Sequence, residues 1–245
     1  MDRYTLTKTF ELRYTDVDFR DEMKPSALLA CFLEAACDSA DLLGFGYQDI
    51  APRDFGFLVS NFHFELFRPI ALREKVTFET WPLPPGKALF FREFVVRAGE
   101  EIVARASSRW CLYHLREGKI LPSSALSRQD YSKYRTDKSI GSVSWKISSV
   151  EREKPCFRVL VGIDDYDHYL HVNNTKYADY IFSCFTLEEW SARRLKGFTV
   201  SFLRQCHAGD EIVFYRDLSQ NAATVSGYVG ENCVVSARLD FEEEA

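Results

Sequence analysis

Methionine is nearly missing from this chain of 245 residues, with 2 in all, and glycine and proline are sparse at 12 and 8. So little Gly and Pro excludes a fibrous or low-complexity protein. No apolar run approaches the roughly 18 residues a membrane helix needs. No Cys-x-x-Cys pair occurs; the 7 cysteines (31, 37, 111, 156, 184, 206, 233) are scattered and odd in number, which reads as reduced thiols. Gly-x-Ser-x-Gly, Gly-x-Gly-x-x-Gly, the P-loop and His-Glu-x-x-His are all absent, so no hydrolase elbow, nucleotide loop or zincin helix is predicted. There is no basic excess either: the net charge is -5, which argues against broad nucleic-acid binding. The first residues, MDRYTLTKTFELRY, lack the apolar core of a signal peptide, and the expected location is the cytoplasm.

What is present is globular composition, 46% apolar and 27% charged, with 20 Phe and 12 Tyr. Residues 7–15 alternate, with Phe10, Leu12 and Tyr14 on one face, and predict a strand. Pro25 opens a helix whose apolar positions Leu29, Leu33, Ala36, Ala40 and Leu43 recur at helical spacing, and Gly44 stops it. This helix is so apolar that the expectation is enclosure by other elements. Strand-like runs follow at 57–66, 74–81, 88–97 and 101–113. One buried helix followed by a meander points to α+β architecture with an antiparallel sheet, not to βαβ units. Residues 122–155 hold nine serines and few large apolar side chains and read as a linker. The pattern then restarts: a strand at 156–164, a helix from about 174, and strands near 198–204, 210–216, 222–229 and 232–242.

The restart is an internal repeat. Asp16-Val17-Asp18 lies over Asp165-Tyr166-Asp167 at an offset of 149, and Leu66-Phe67-Arg68 over Phe202-Leu203-Arg204 at 136. The second copy therefore loses 13 residues, which the pattern places between its helix and the next strand. Two like domains packed as a pseudo-dimer are expected.

The densest polar cluster runs from Asp164 to Asn174 and includes His168 and His171. Asn173 and Asn174 suit a turn and a helix cap. Asp167 and His171, four apart, are left unexplained by capping, and a helix start offers N–H groups for a developing oxyanion. Cys206, in Arg204-Gln205-Cys206-His207, admits two readings: a thiol nucleophile with His171 as base, or a packed strand cysteine. His168-x-x-His171 is too weak a pattern to predict a metal. His63 and His114 fall in strand patterns and read as packed; the Glu242–Glu244 tail reads as solvated charge.

The run His171-Val172-Asn173-Asn174-Thr175-Lys176-Tyr177, four residues after Asp167, resembles the active-site segment of the acyl-ACP thioesterases. The segments Ala40–Tyr47, Val76–Pro82 and Ala106–Trp110 resemble that family's first domain. The resemblance implies two tandem hot-dog domains, each a long helix wrapped by an antiparallel sheet: 1–121 carrying the acyl pocket, a linker at 122–155, and 156–245 carrying the chemistry. It implies hydrolysis of a fatty acyl thioester on acyl carrier protein to free fatty acid, with no metal or organic cofactor. Asp167 and His171 match the family's Asp and His. Two positions depart: Tyr169 replaces an Asn, and Gln205 replaces a Glu, beside a matching Cys206. The implied catalytic set is thus Asp167, Tyr169, His171, Gln205 and Cys206, with oxyanion donors around Val172, Asn173 and Asn174. Arg193, Arg194 and Lys196 are the local basic patch an acidic carrier would meet. Hot-dog acyl-CoA hydrolysis and non-catalytic acyl-thioester binding stand as alternatives. A homodimer is compatible with the repeat, and chain length is not encoded in any motif.

Overall fold

A computed structural model describes residues 4–126 and 130–242. The chain divides into two compact units, Met1–Val143 and Ser144–Ala245. Among the described residues no helix is long and apolar enough to cross a membrane.

The first unit contains β1 (Leu6–Glu11), α1 (Pro25–Leu42), α2 (Tyr47–Ile50), β2 (Phe55–Leu66), β3 (Lys75–Leu83), β4 (Phe90–Ala98), β5 (Glu101–His114) and β6 (Lys119–Leu121). The strands pair antiparallel in the order β1-β3-β4-β5-β2, with β6 on β5. Alternation drives this sheet: Val76, Phe78 and Thr80 are buried on β3, whereas Lys75 is exposed. β1 is shorter than its alternation predicts. It ends at Glu11, and a 3-10 turn over Tyr14–Asp16 leaves the Tyr14 ring 70% exposed.

Proline at the first helical position and Gly44 at φ +76° bound α1 as the sequence predicts. The helix is enclosed on one side only. Leu28, Leu29, Phe32, Ala35, Ala36 and Ser39 are buried, whereas Ala30, Glu34 and Cys37 are exposed. Phe32 is the centre of the core, its ring 5.0 Å from those of Phe78 and Phe94 and 5.3 Å from that of Phe62. Its truncation to alanine would cost about 3–5 kcal/mol.

The second unit repeats the plan with β7 (Phe157–Leu160), α3 (Asn174–Phe182), α4 (Leu187–Ser191), β8 (Leu195–Phe202), β9 (Glu211–Leu218), β10 (Ala222–Val229) and β11 (Asn232–Phe241). Its strand order is β8-β11-β10-β9-β7. The missing residues come from the elements themselves: α3 has 9 residues against 18 in α1, and β8 has 8 against 12 in β2. The connection between helix and strand, where the pattern placed the loss, is unshortened.

Part of the serine-rich stretch is not a free tether. Tyr131 and Tyr134 pack into the cluster around Leu43 and Phe55, and residues 135–139 lie on the first unit's sheet, on the face away from α1. Ser139 donates from its backbone N–H (2.9 Å) and hydroxyl (2.7 Å) to the buried Glu93 carboxylate. The Trp81 indole donates to the Asp137 carbonyl at 3.0 Å, and the Arg135 guanidinium covers the Trp81 ring at 3.6 Å. These contacts bury polar groups in partnered form, which explains why a segment poor in apolar residues packs at all.

Candidate functional site

The site begins with the loop that joins β7 to α3. A 3-10 turn covers Ile163–Asp165, and a single antiparallel bridge pairs Tyr166 with Val172. Between them the chain reverses tightly. The Asp167 N–H donates to the His171 carbonyl (2.8 Å) and the Leu170 N–H to the Asp167 carbonyl (3.1 Å). Leu170 adopts φ +59°, a conformation that crowds an ordinary side chain. The Asp167 carboxylate organises this turn: its Oδ1 accepts the N–H groups of Tyr169 (2.9 Å) and His171 (3.1 Å). Asp167 and His171 are thereby held on one short loop, both half-buried.

Burial lowers the His171 imidazole below its ordinary value; Asp167 nearby raises it and His207 lowers it further. The ring is therefore neutral near pH 7, with one nitrogen able to donate and one to accept. Tyr169 lies half-buried against the His168 ring, with centroids 4.0 Å apart, and at 6.4 Å from that of His171.

Asn173 caps α3, its Oδ1 accepting the Thr175 N–H (2.9 Å) and hydroxyl (2.8 Å). Its own N–H donates to the Asp165 carbonyl at 2.8 Å. That engagement withdraws Asn173 as an oxyanion donor; Val172 and Asn174 flank it at the helix start.

The second predicted segment splits in two. Gln205 is exposed, and its Nε2 donates to the Leu170 carbonyl (3.2 Å), so this side chain does reach the loop. Cys206 is 0% exposed, and burial pushes its thiol up, beside the Tyr177 hydroxyl. A thiol sealed from solvent and held protonated is not a nucleophile; of the two readings, the packed cysteine is the one the geometry supports. Three groups near the site carried no clear sequence signal. His207 lies close enough to act on His171. Tyr177 and Tyr180 bury their hydroxyls near Cys206 and Asp165 respectively. Their spacing of three on α3 was the one available cue.

No group of three or more His, Cys, Asp or Glu that could hold a metal occurs among the described residues. Of the basic patch, Arg194 and Lys196 are exposed, while Arg193 turns inward, its guanidinium donating to the Glu189 carbonyl (2.8 Å) and lying over Phe241. Glu243 and Glu244 lie outside the described residues.

The sequence matches the family model of the acyl-ACP thioesterase N-terminal domain over residues 3–122 and that of the C-terminal domain over residues 150–234. A chloroplastic palmitoyl-acyl carrier protein thioesterase of Gossypium hirsutum is 23% identical across 98% of this chain, and the match spans 61% of that relative's length. An acyl-ACP thioesterase structure from Bacteroides thetaiotaomicron superposes with a TM-score of 0.89 at 22% identity, covering 99% of this chain and 100% of that one. The 12:0-ACP thioesterase of Umbellularia californica gives 0.88 at 20% identity, covering 98% of each. These two likenesses establish the hot-dog fold.

Proposed function

The chain belongs to the acyl-ACP thioesterase family, and from that premise we propose that it hydrolyses a fatty acyl thioester on acyl carrier protein, releasing free fatty acid. The observation that carries the reading is the loop itself: Asp167 and His171, which resemble the family's Asp and His, are held together half-buried just before α3.

In this mechanism Asp167 has two jobs on two oxygens. Oδ1 holds the loop through two N–H groups, and Oδ2 orients or deprotonates the attacking water. Neutral His171 hydrogen-bonds the water or the thioester and passes a proton toward the departing thiolate. The N–H groups of Val172 and Asn174 take the developing oxyanion. Thiolate is a fair leaving group, so modest acid assistance suffices. Gln205 is a positioning residue, because an amide is no base near neutral pH but can hold the Leu170 carbonyl. Cys206 packs, and Tyr169 shields His171. Arg194 and Lys196 supply the positive surface for an acidic carrier.

Thiol release from a panel of acyl-ACPs, with the matching acyl-CoAs as controls, tests the proposal. Release from acyl-ACP that exceeds release from acyl-CoA supports it. Turnover of acyl-CoA alone would move the assignment to the CoA-dependent hot-dog hydrolases, and tight acyl-ACP binding without release would make the chain a carrier-bound acyl reader.

A further inference from the structure

The first unit buries a cation in its core. Arg92 lies on β4, on the same face as Phe94, and is 5% exposed. Its Nη1 donates to the Thr80 hydroxyl at 3.3 Å, and among the described residues it enters no ion pair. Glu93, its neighbour in sequence, is no partner. Successive strand residues point to opposite faces, and the Glu93 carboxylate is bonded to Ser107 and Ser139 on the other side. A guanidinium has five N–H groups, so most of its donor capacity is unused.

The register shows what surrounds it. Ser108 stands directly opposite Arg92 on β5, and Phe62 opposite Ser108 on β2. One step along β4 in one direction Phe94 meets Phe32 of α1; one step in the other, Phe90 packs with Phe57, at the edge of the cluster that holds Leu43. Between those contacts α1 carries Ala35, Ala36 and Ser39, all small and buried, and Cys37 of α1 and Tyr134 lie close enough to act on the guanidinium. The Ser39 hydroxyl is 1% exposed and has no hydrogen-bond partner among the described residues. Two polar groups with unmet hydrogen-bonding capacity thus lie in the first unit's core, among phenylalanine rings. Burial pushes the Arg92 guanidinium down to about 10, so it stays charged near neutral pH.

An unpaired buried charge is costly, and a carboxylate presented to a guanidinium by two oxygens relieves that cost better than any neutral group. The aromatic walls select an anion with an apolar body. We propose that the Arg92 guanidinium forms an interior binding site for the carboxylate of an aliphatic acid; the Thr80 and Ser108 hydroxyls beside it already donate to the Glu93 and Arg92 carbonyls. Thioester hydrolysis would supply such an acid as its product, and to that extent the inference rests on the function proposed above. The same chemistry could also arrive as the far-end carboxylate of a dicarboxylic acyl chain.

The test is calorimetric binding of dodecanoate and of dodecanol to the purified full chain at neutral pH. The acid should bind at least about tenfold tighter than the alcohol, the scale of a charged hydrogen bond. Arg92→Met should erase that preference while still binding the alcohol. Equal affinities in the wild type overturn the site, as does a folded Arg92→Met that keeps the preference. If Arg92→Met does not fold, the wild-type comparison of acid and alcohol decides alone. Two further arms assign the source. Inhibition of thiol release by dodecanoate that Arg92→Met abolishes marks the free acid; faster turnover of an ω-carboxyacyl thioester that Arg92→Met abolishes marks the dicarboxylic chain. Acid binding with no release from any acyl thioester would sink the proposed hydrolysis and leave the site standing.

Discussion

Residues 13–24 and 162–173 trace the same backbone twice, in different chemical company. Each copy begins with a 3-10 turn whose last Asp accepts the N–H three residues back, Arg13 to Asp16 at 2.9 Å and Gly162 to Asp165 at 2.7 Å. Each closes with one antiparallel bridge, Val17 to Met23 and Tyr166 to Val172. Within each, an Asp carboxylate accepts the N–H two residues on: Arg20 to Asp18 at 2.9 Å and Tyr169 to Asp167 at 2.9 Å. The left-handed residue falls at the same step, Asp21 at φ +57° and Leu170 at φ +59°. The difference is in the side chains. In the first copy the Arg20 guanidinium bonds Asp18 Oδ2 at 3.0 Å and pairs with Glu22 at 3.3 Å. In the second, Tyr169 and His171 replace Arg20 and Glu22, and among the described residues Asp167 enters no ion pair. The shared carboxylate is a device for making the loop. Only where the neighbouring cation is gone is its second oxygen left without an ion partner, as the proposed mechanism requires.

Breaking the two copies in parallel gives the largest contrast. Asparagine keeps the Oδ1 acceptor, so both loops should hold their shape. Asp167→Asn should lower acyl-ACP hydrolysis by about a hundredfold or more, whereas Asp18→Asn should leave the rate within a few-fold. Thiol-release kinetics on both variants, with circular dichroism as a fold check, measure this. Equal losses would sink the division of labour between the loops.

Gln205 supplies a smaller effect. Gln205→Ala removes one hydrogen bond to the loop and should cost roughly three- to tenfold in kcat. Gln205→Glu should do no better than alanine, because a carboxylate cannot donate to the Leu170 carbonyl. A gain in kcat for the glutamate variant would instead put position 205 in contact with the attacking water.

The His171 titration sharpens the electrostatic side. Its folded value lies below that of the unfolded chain, so stability from this group is present above about pH 6.5 and is lost as pH falls through the folded value. Observed by NMR, His207→Gln should move the His171 midpoint up, and Asp167→Asn should move it further down. Opposite displacements would show that the two neighbours act in another way.

The smallest effect concerns backbone strain. Leu170 is 74% exposed, so its side chain packs little, and leucine tolerates positive φ poorly. Leu170→Asn should raise stability by about 0.5–1 kcal/mol, read from urea denaturation. Asp21→Asn, already at a residue type that accepts this conformation, should change almost nothing.

Much of this architecture is legible from periodicity. Pro25 and Gly44 bound the first helix, and the run read at 57–66 begins only two residues early, at Phe55. The candidate loop is legible through its duplication, because an offset of 149 carries Asp18 onto Asp167. Other features escape for physical reasons. Cys206 sits where strand alternation has lapsed, so nothing in Arg204–His207 says which side chain turns inward. Arg92 and Glu93 are adjacent in the run FFREFVVR, where nothing local marks either as buried; the pleat separates them onto opposite faces and buries both. The docking of Ser139 on Glu93 spans 46 residues, and no local pattern announces it.

That last contact fixes where the first unit can be cut. A chain ended at Leu121 would leave the Glu93 carboxylate in a buried setting without the Ser139 donors and would bare the Trp81 ring. Losing those donors alone would cost about 1–3 kcal/mol, a large part of what a domain of this size has to lose. Limited proteolysis should therefore nick the chain beyond Val143 more readily than between 130 and 140, and the smallest soluble piece that keeps the Phe32 core should carry the serine-rich segment with it.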